Sequence, residues 1–177
     1  MNSIDLKKWI DQFFDQGVQA NTETLEEIKK FTILWLIFEK YVCDEDANYN
    51  KIESQLDKVN QQNIKSDIYE DALKYFQDRY IDNQGKATAY FANIFKATAT
   101  EQTKEQRLLK VLKAEATDPL EILKSLMFLT YRYRNNLFHG VKDVLRLDGQ
   151  HENFVHANLY LSKLVLFLKT ELTIQTT

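Results

Sequence analysis

Glycine and proline are almost missing from this chain, at 4 and 1 of 177 residues, about a quarter of their usual share in soluble domains. Strand-rich folds need these residues at their many turns, so the shortage argues against a sandwich or barrel and for an all-α domain. It also excludes a P-loop and a dinucleotide fingerprint, which require several glycines for tight turns and close approach to phosphate. The single cysteine, Cys43, rules out an internal disulfide and a zinc centre built on thiolates, and it fits a reducing, cytoplasmic setting. Long apolar runs are lacking too. The longest early one, Ile33 to Phe38, is closed by Glu39 and Lys40, whereas a membrane helix needs about 20 apolar residues. Asp5, Lys7 and Lys8 fall where a signal peptide would carry its apolar segment. The expectation is a soluble cytoplasmic protein, not associated with a membrane and needing no metal or other cofactor.

What is present is enough for one core. A chain of 177 residues is the size of a single domain that buries roughly two-thirds of its unfolded surface. Residues 1–177 are therefore read as one antiparallel helical bundle of about five to seven helices. Ser3 is placed as the cap of a first helix running to Gly17, carrying Ile4, Trp9, Ile10, Phe13 and Phe14 at helical spacing. Thr24-Leu25-Glu26-Glu27 has the form of a capping box opening a second helix to Val42. Because Ile33 to Phe38 is apolar all round, that helix is expected to lie at the centre of the bundle. Weaker helical patterns cover residues 49–59 and 66–80, a short helix is placed near 90–95, and a further helix spans 104–116. Asp118-Pro119-Leu120-Glu121 gives a strong helix start. The helix it opens passes Leu123, Leu126, Leu129, Tyr133 and Leu137 and stops at Gly140. A final apolar helix ends near Leu172.

Several candidate sites give way to plainer readings. Asp44 to Asn50 starts like a calcium loop, but Tyr49 stands where the turn needs glycine and Gln55 where the bidentate glutamate belongs. Cys43 beside this acidic run reads as a packing residue. Glu152 and His156 form an i, i+4 pair near His151, without a His-Glu-x-x-His pattern to make a metal site. Tyr133 falls on the leucine stripe and reads as core.

The segment Tyr131-Arg132-Tyr133-Arg134-Asn135-Asn136-Leu137-Phe138-His139-Gly140 is richer in chemistry. Arg134, Asn135, Asn136 and His139 crowd the end of one helix, where an arginine and a histidine also suit the helix dipole. At 100° per residue Arg132, Asn135 and His139 project away from the leucine stripe, with Phe128 on the same face. The nine basic and five acidic residues from Lys104 to Arg146 make this stretch about +4 within a chain of −3.

The spacing of Arg134 and His139, with four residues between and a polar Asn135 directly after the arginine, resembles the signature of HEPN domains. The apolar helix around Trp35 and the closing apolar helix extend the resemblance more weakly along the chain. It implies a small all-α bundle and a metal-independent endoribonuclease of bacterial toxin or antiviral defence type, cleaving single-stranded RNA by attack of the 2′-hydroxyl. Arg134 and His139 are then the catalytic residues, and Arg132, Asn135, Asn136 and Lys142 the candidates for substrate binding. It further implies a homodimer whose composite cleft joins two Arg/His sets, with Phe128 as an interface anchor and Lys124, Arg132, Lys142 and Arg146 lining a basic groove. An antitoxin or other regulatory protein is a possible partner. HEPN toxins paired with nucleotidyltransferase-type antitoxins commonly carry a tyrosine two places after the histidine; here that position is Val141, which points away from that pairing. The alternative is a non-catalytic HEPN-like module that binds RNA, a nucleotide or a protein partner, since sites and not folds carry function.

Overall fold

A computed structural model describes residues 4–13, 21–95, 99–138 and 149–174. Among the described residues there are eight α-helices: α1 (Leu6–Phe13), α2 (Thr22–Tyr41), α3 (Tyr49–Leu56), α4 (Glu70–Tyr80), α5 (Ala89–Ala92), α6 (Ala99–Leu112), α7 (Pro119–Phe138) and α8 (His151–Glu171). Two 3-10 turns, Gln61–Asn63 and Ser66–Ile68, join α3 to α4. The all-α expectation holds, and the count exceeds five to seven because short pieces such as the single turn of α5 add to it. The stretch after α4 is closed by an isolated bridge between Ile81 and Ala87. Gly85 makes that turn with φ +73, a backbone region that only glycine enters without strain.

Local chemistry explains most helix ends. Asp118 Oδ1 accepts from the Glu121 N–H at 3.0 Å, so α7 begins where the Asp-Pro signal places it. For α2 the cap is Asn21 and not Thr24: the Asn21 Oδ1 accepts from both the Thr24 N–H (2.7 Å) and the Thr24 hydroxyl (2.9 Å). The helix therefore starts a turn earlier than the capping-box reading, because the asparagine oxygen reaches the free N–H groups first. The expected cap Ser3, and the expected stops Gly17 and Gly140, lie outside the described residues.

The central helix is α7, which corrects the expectation for α2. Every residue from Ile122 to Thr130 is buried. On one side Tyr49 of α3 sets its ring edge-on to Phe128, and Phe95, just beyond α5, stacks on the same ring. On another the Tyr160 hydroxyl of α8 donates to the Leu123 carbonyl at 2.7 Å. Arg107 of α6 grips Glu121 through two nitrogens and reaches Glu53 of α3 at 2.5 Å, a bidentate pair that fixes three helices together. In α2 only one stripe faces inward, with Phe31, Trp35 and Phe38 at 0–2% exposure, while Ile33 and Leu36 stay 59% and 58% exposed. A helix apolar on all sides is buried only where neighbours surround it. α2 lies against α8 on one flank, with Thr24 meeting His151 and Glu27 meeting Asn158, and its outer face has no neighbour among the described residues.

This contrast is measurable with one chemistry at two places. Leu126→Ala, at a fully buried position, is expected to lower the unfolding free energy by about 2–5 kcal/mol, whereas Leu36→Ala changes it by no more than about 0.5 kcal/mol. Urea denaturation of the two variants checks this, and equal losses would return α2 to the centre of the bundle.

Candidate functional site

The last turns of α7 carry the polar cluster, and helix geometry divides it. Positions 132 and 136 are one turn apart and share a face, while 134 projects almost opposite to both. Arg132 and Asn136 point into the protein, at 8% and 2% exposure. An Arg132 guanidinium N–H donates to the Ile94 carbonyl at 3.2 Å, and the Asn136 amide donates to the same oxygen at 3.3 Å. These two side chains hold the segment after α5 against α7. The outward face expected of Arg132 and Phe128 is corrected accordingly: Phe128, 2% exposed, packs between Tyr49 and Phe95, because α3 and α5 cover that side of the helix.

Arg134 faces α2 and remains partly open, with 26% of its side chain exposed. Its guanidinium lies 5.6 Å from the Phe138 ring centre and 6.0 Å from that of Trp35, within the range of cation–π attraction. One N–H donates to the Asn135 Oδ1 at 3.2 Å. A second nitrogen is 3.8 Å from Glu39 Oε1, and the other Glu39 oxygen accepts from the Trp35 indole N–H at 3.2 Å. Trp35 thus orients the carboxylate, and the carboxylate faces the arginine. Glu39 was not singled out by the sequence pattern, although its i, i+4 spacing from Trp35 was the signal that could have found it. Arg134 and Asn135 are brought together; Arg132 and Asn136 are set apart from them. His139 and Lys142 lie outside the described residues, as does Arg146.

The expected basic groove loses another member. Lys124 is 9% exposed and its ammonium pairs with Asp57 at 2.6 Å, so its charge is neutralised between α7 and the end of α3. Glu121 lies 3.9 Å from the same ammonium, so the buried end of Lys124 faces two carboxylates. Among the described residues no group of three or more His, Cys, Asp or Glu side chains is placed so that it could hold a metal ion, and no helix is long and apolar enough to cross a membrane. Cys43 is fully buried, and burial pushes its thiol up to about 12, in keeping with a packing role.

The histidines of α8 show ordinary structural duties. His156 stacks face to face on Tyr75 with 4.0 Å between ring centres and lies 3.9 Å from Glu152. Burial lowers its pKa below the usual imidazole value, against the opposing pull of Glu152 and Asp71. The unfolded chain therefore takes up this proton first as pH falls through about 6.5. The stability associated with neutral His156 is complete above that pH and is lost as pH drops toward the lower folded value. Unfolding free energies measured from pH 7 to pH 5 should decline, and the decline should be shallower in His156→Phe, which keeps the stack and cannot titrate. An imidazole NMR titration midpoint above 6.5 would contradict this.

Models of known protein families, curated proteins and solved structures provide no match to the chain. Its chemistry is therefore to be sought in its own residues.

Proposed function

We propose that the chain is a HEPN-like endoribonuclease of toxin or antiviral defence type, which cuts single-stranded RNA in the cytoplasm without a metal ion. The observation that carries this reading is Arg134: a permanently charged, partly open guanidinium on the last turn of the central helix, with Asn135 bonded to it and His139 five residues on in the sequence. The all-α bundle and the apolar helices around Trp35 and after the motif agree with the HEPN pattern.

In this mechanism the RNA supplies its own nucleophile. His139 takes the proton from the 2′-hydroxyl, whose oxygen bonds to the adjacent phosphorus as the bond to the 5′-oxygen breaks. The leaving oxygen receives a proton from the imidazolium of a second copy in a homodimeric cleft, leaving a 2′,3′-cyclic phosphate. An imidazole titrates near the working pH and suits both roles. Arg134 holds the phosphate oxygens as negative charge grows on them, a task for which a planar fork suits better than an ammonium. Asn135, already bonded to Arg134, orients that fork. DNA, having no 2′-hydroxyl, is not cut.

One observation favours the second reading, a non-catalytic HEPN-like binding module. Arg132, Asn136 and Lys124 are engaged inside the fold, and Glu39 stands beside Arg134, which reduces the cationic surface offered to a long RNA. Incubating labelled mixed-sequence RNA in EDTA with the wild type, His139→Ala and Arg134→Ala separates the two. The nuclease reading expects cyclic-phosphate products from the wild type, with rates lower by about 10²–10⁴ in His139→Ala and about 10²–10³ in Arg134→Ala, at equal folding and dimerisation. Three inert proteins that bind RNA or a partner equally well would give the function to the binding module.

A further inference from the structure

A second polar site lies away from Arg134, where the end of α4, α5 and the start of α8 enclose a cavity of about 310 Å³. That volume is at the small end of ligand pockets, which run from about 300 to 1,000 Å³. Arg79, from the last turn of α4, lines it. One of its terminal nitrogens donates to the Gly149 carbonyl at 3.0 Å, and its Nε is buried without a hydrogen-bond acceptor. No carboxylate among the described residues pairs with it; the ionisable groups acting on it are the hydroxyls of Tyr75, Tyr80 and Tyr133. Arg107, Arg134 and Lys163, by contrast, each have a carboxylate partner: Glu53 and Glu121, Glu39, and Asp71. The tyrosine hydroxyls, Tyr80 through a hydrogen bond, hold the guanidinium charged despite its burial, but they do not neutralise it, and an anion in the cavity would supply the counter-charge.

The remaining walls describe the rest of the ligand. Tyr90 packs against the Arg79 guanidinium at 5.0 Å and is 63% exposed, so much of an aromatic ring stays open to stacking beside the charge. Asn93, Gln150 and Asn153 bring three primary amides to the same cavity, each carrying both donor and acceptor atoms. Asn153 is fixed: its oxygen accepts from the Tyr75 hydroxyl at 3.0 Å, and its amide donates to Gln150 Oε1 at 2.7 Å. A cation for phosphate, an aromatic plane for stacking and amides for the polar edge of a base together match a single nucleotide unit.

We propose that this cavity binds one nucleotide, with its phosphate on Arg79, its base stacked on Tyr90 and its base edge read by Asn93 and Gln150. The proposal stands apart from the nuclease reading, because it involves neither Arg134 nor His139. The nucleotide can arrive free or as one unit of a single strand, and the shared chemistry is the same. Titration calorimetry on the full chain with AMP, UMP, inorganic phosphate and a 2′-O-methyl oligouridine hexamer, which cannot undergo 2′-hydroxyl attack, tests it without any cleavage step.

A nucleotide or the hexamer is expected to bind at least tenfold tighter than phosphate, and Arg79→Gln to weaken that binding at least tenfold. Tyr90→Ala, at an exposed position that folding does not need, is expected to weaken it about fivefold. Tighter binding of the mononucleotide assigns the site to a free ligand, and tighter binding of the hexamer to RNA. The proposal is overturned if neither binds, if phosphate binds as tightly as the nucleotides, or if Tyr90→Ala and a folded Arg79→Gln both bind as the wild type does.

Discussion

The complete burial of α7 is the constraint on which the other elements depend. Between Leu120 and Tyr133 it carries Ile122, Leu123, Leu126, Met127, Phe128 and Leu129 on every side, and each such side chain favours the folded state by about 1.5–3 kcal/mol when removed from water. Burial on one side only would forfeit much of that. α3, α6 and α8 and the segment after α5 close around it, and the polar groups of α7 must find partners inside. Lys124 finds Asp57, the Thr130 hydroxyl donates to the Leu126 carbonyl at 2.8 Å, and Arg132 and Asn136 converge on Ile94. The cluster of polar residues at the end of α7 is thus shaped first by the demands of a central helix.

The site inherits this division. The face of α7 that meets α5 uses its hydrogen-bonding groups to hold the fold, and the face that meets α2 leaves Arg134 partly open. Glu39 then tunes what Arg134 can do. A carboxylate held by the Trp35 indole keeps the guanidinium in place between two aromatic rings and partly offsets its charge. At the end of α4 the position is reversed: Arg79 is sheltered among tyrosines with no carboxylate beside it among the described residues. Two half-buried arginines thus differ in whether a carboxylate stands beside them in the fold.

α2 shows how far apolar composition and burial can part. Its sequence from Ile33 to Phe38 offers six apolar side chains in a row, yet of these only Trp35 and Phe38 are fully buried and Leu34 is partly so. Ile33 and Leu36 cover a shallow apolar surface that continues onto Leu159 of α8, itself 36% exposed. Apolar side chains exposed in such a group are less common on soluble proteins than single ones. Apolarity on all sides permits burial on all sides; it does not supply the neighbours.

What the sequence by itself determined is local or compositional. Few glycines and prolines meant helices, Asp118-Pro119 set the start of α7 to the residue, and Tyr133 on the leucine stripe meant core. These follow because caps and 3.6-residue periodicity are short-range properties that a few neighbouring residues decide. Which helix is central, that Arg132 and Asn136 turn inward to one carbonyl, that Glu39 meets Arg134, and that Arg79, Tyr90 and Gln150 enclose a cavity were decided only by the tertiary structure. Those facts join residues far apart in the chain, 38 positions from Ile94 to Arg132 and 95 from Glu39 to Arg134. No helical period or capping rule extends over that distance, and only the packing of whole helices around α7 brings the partners together.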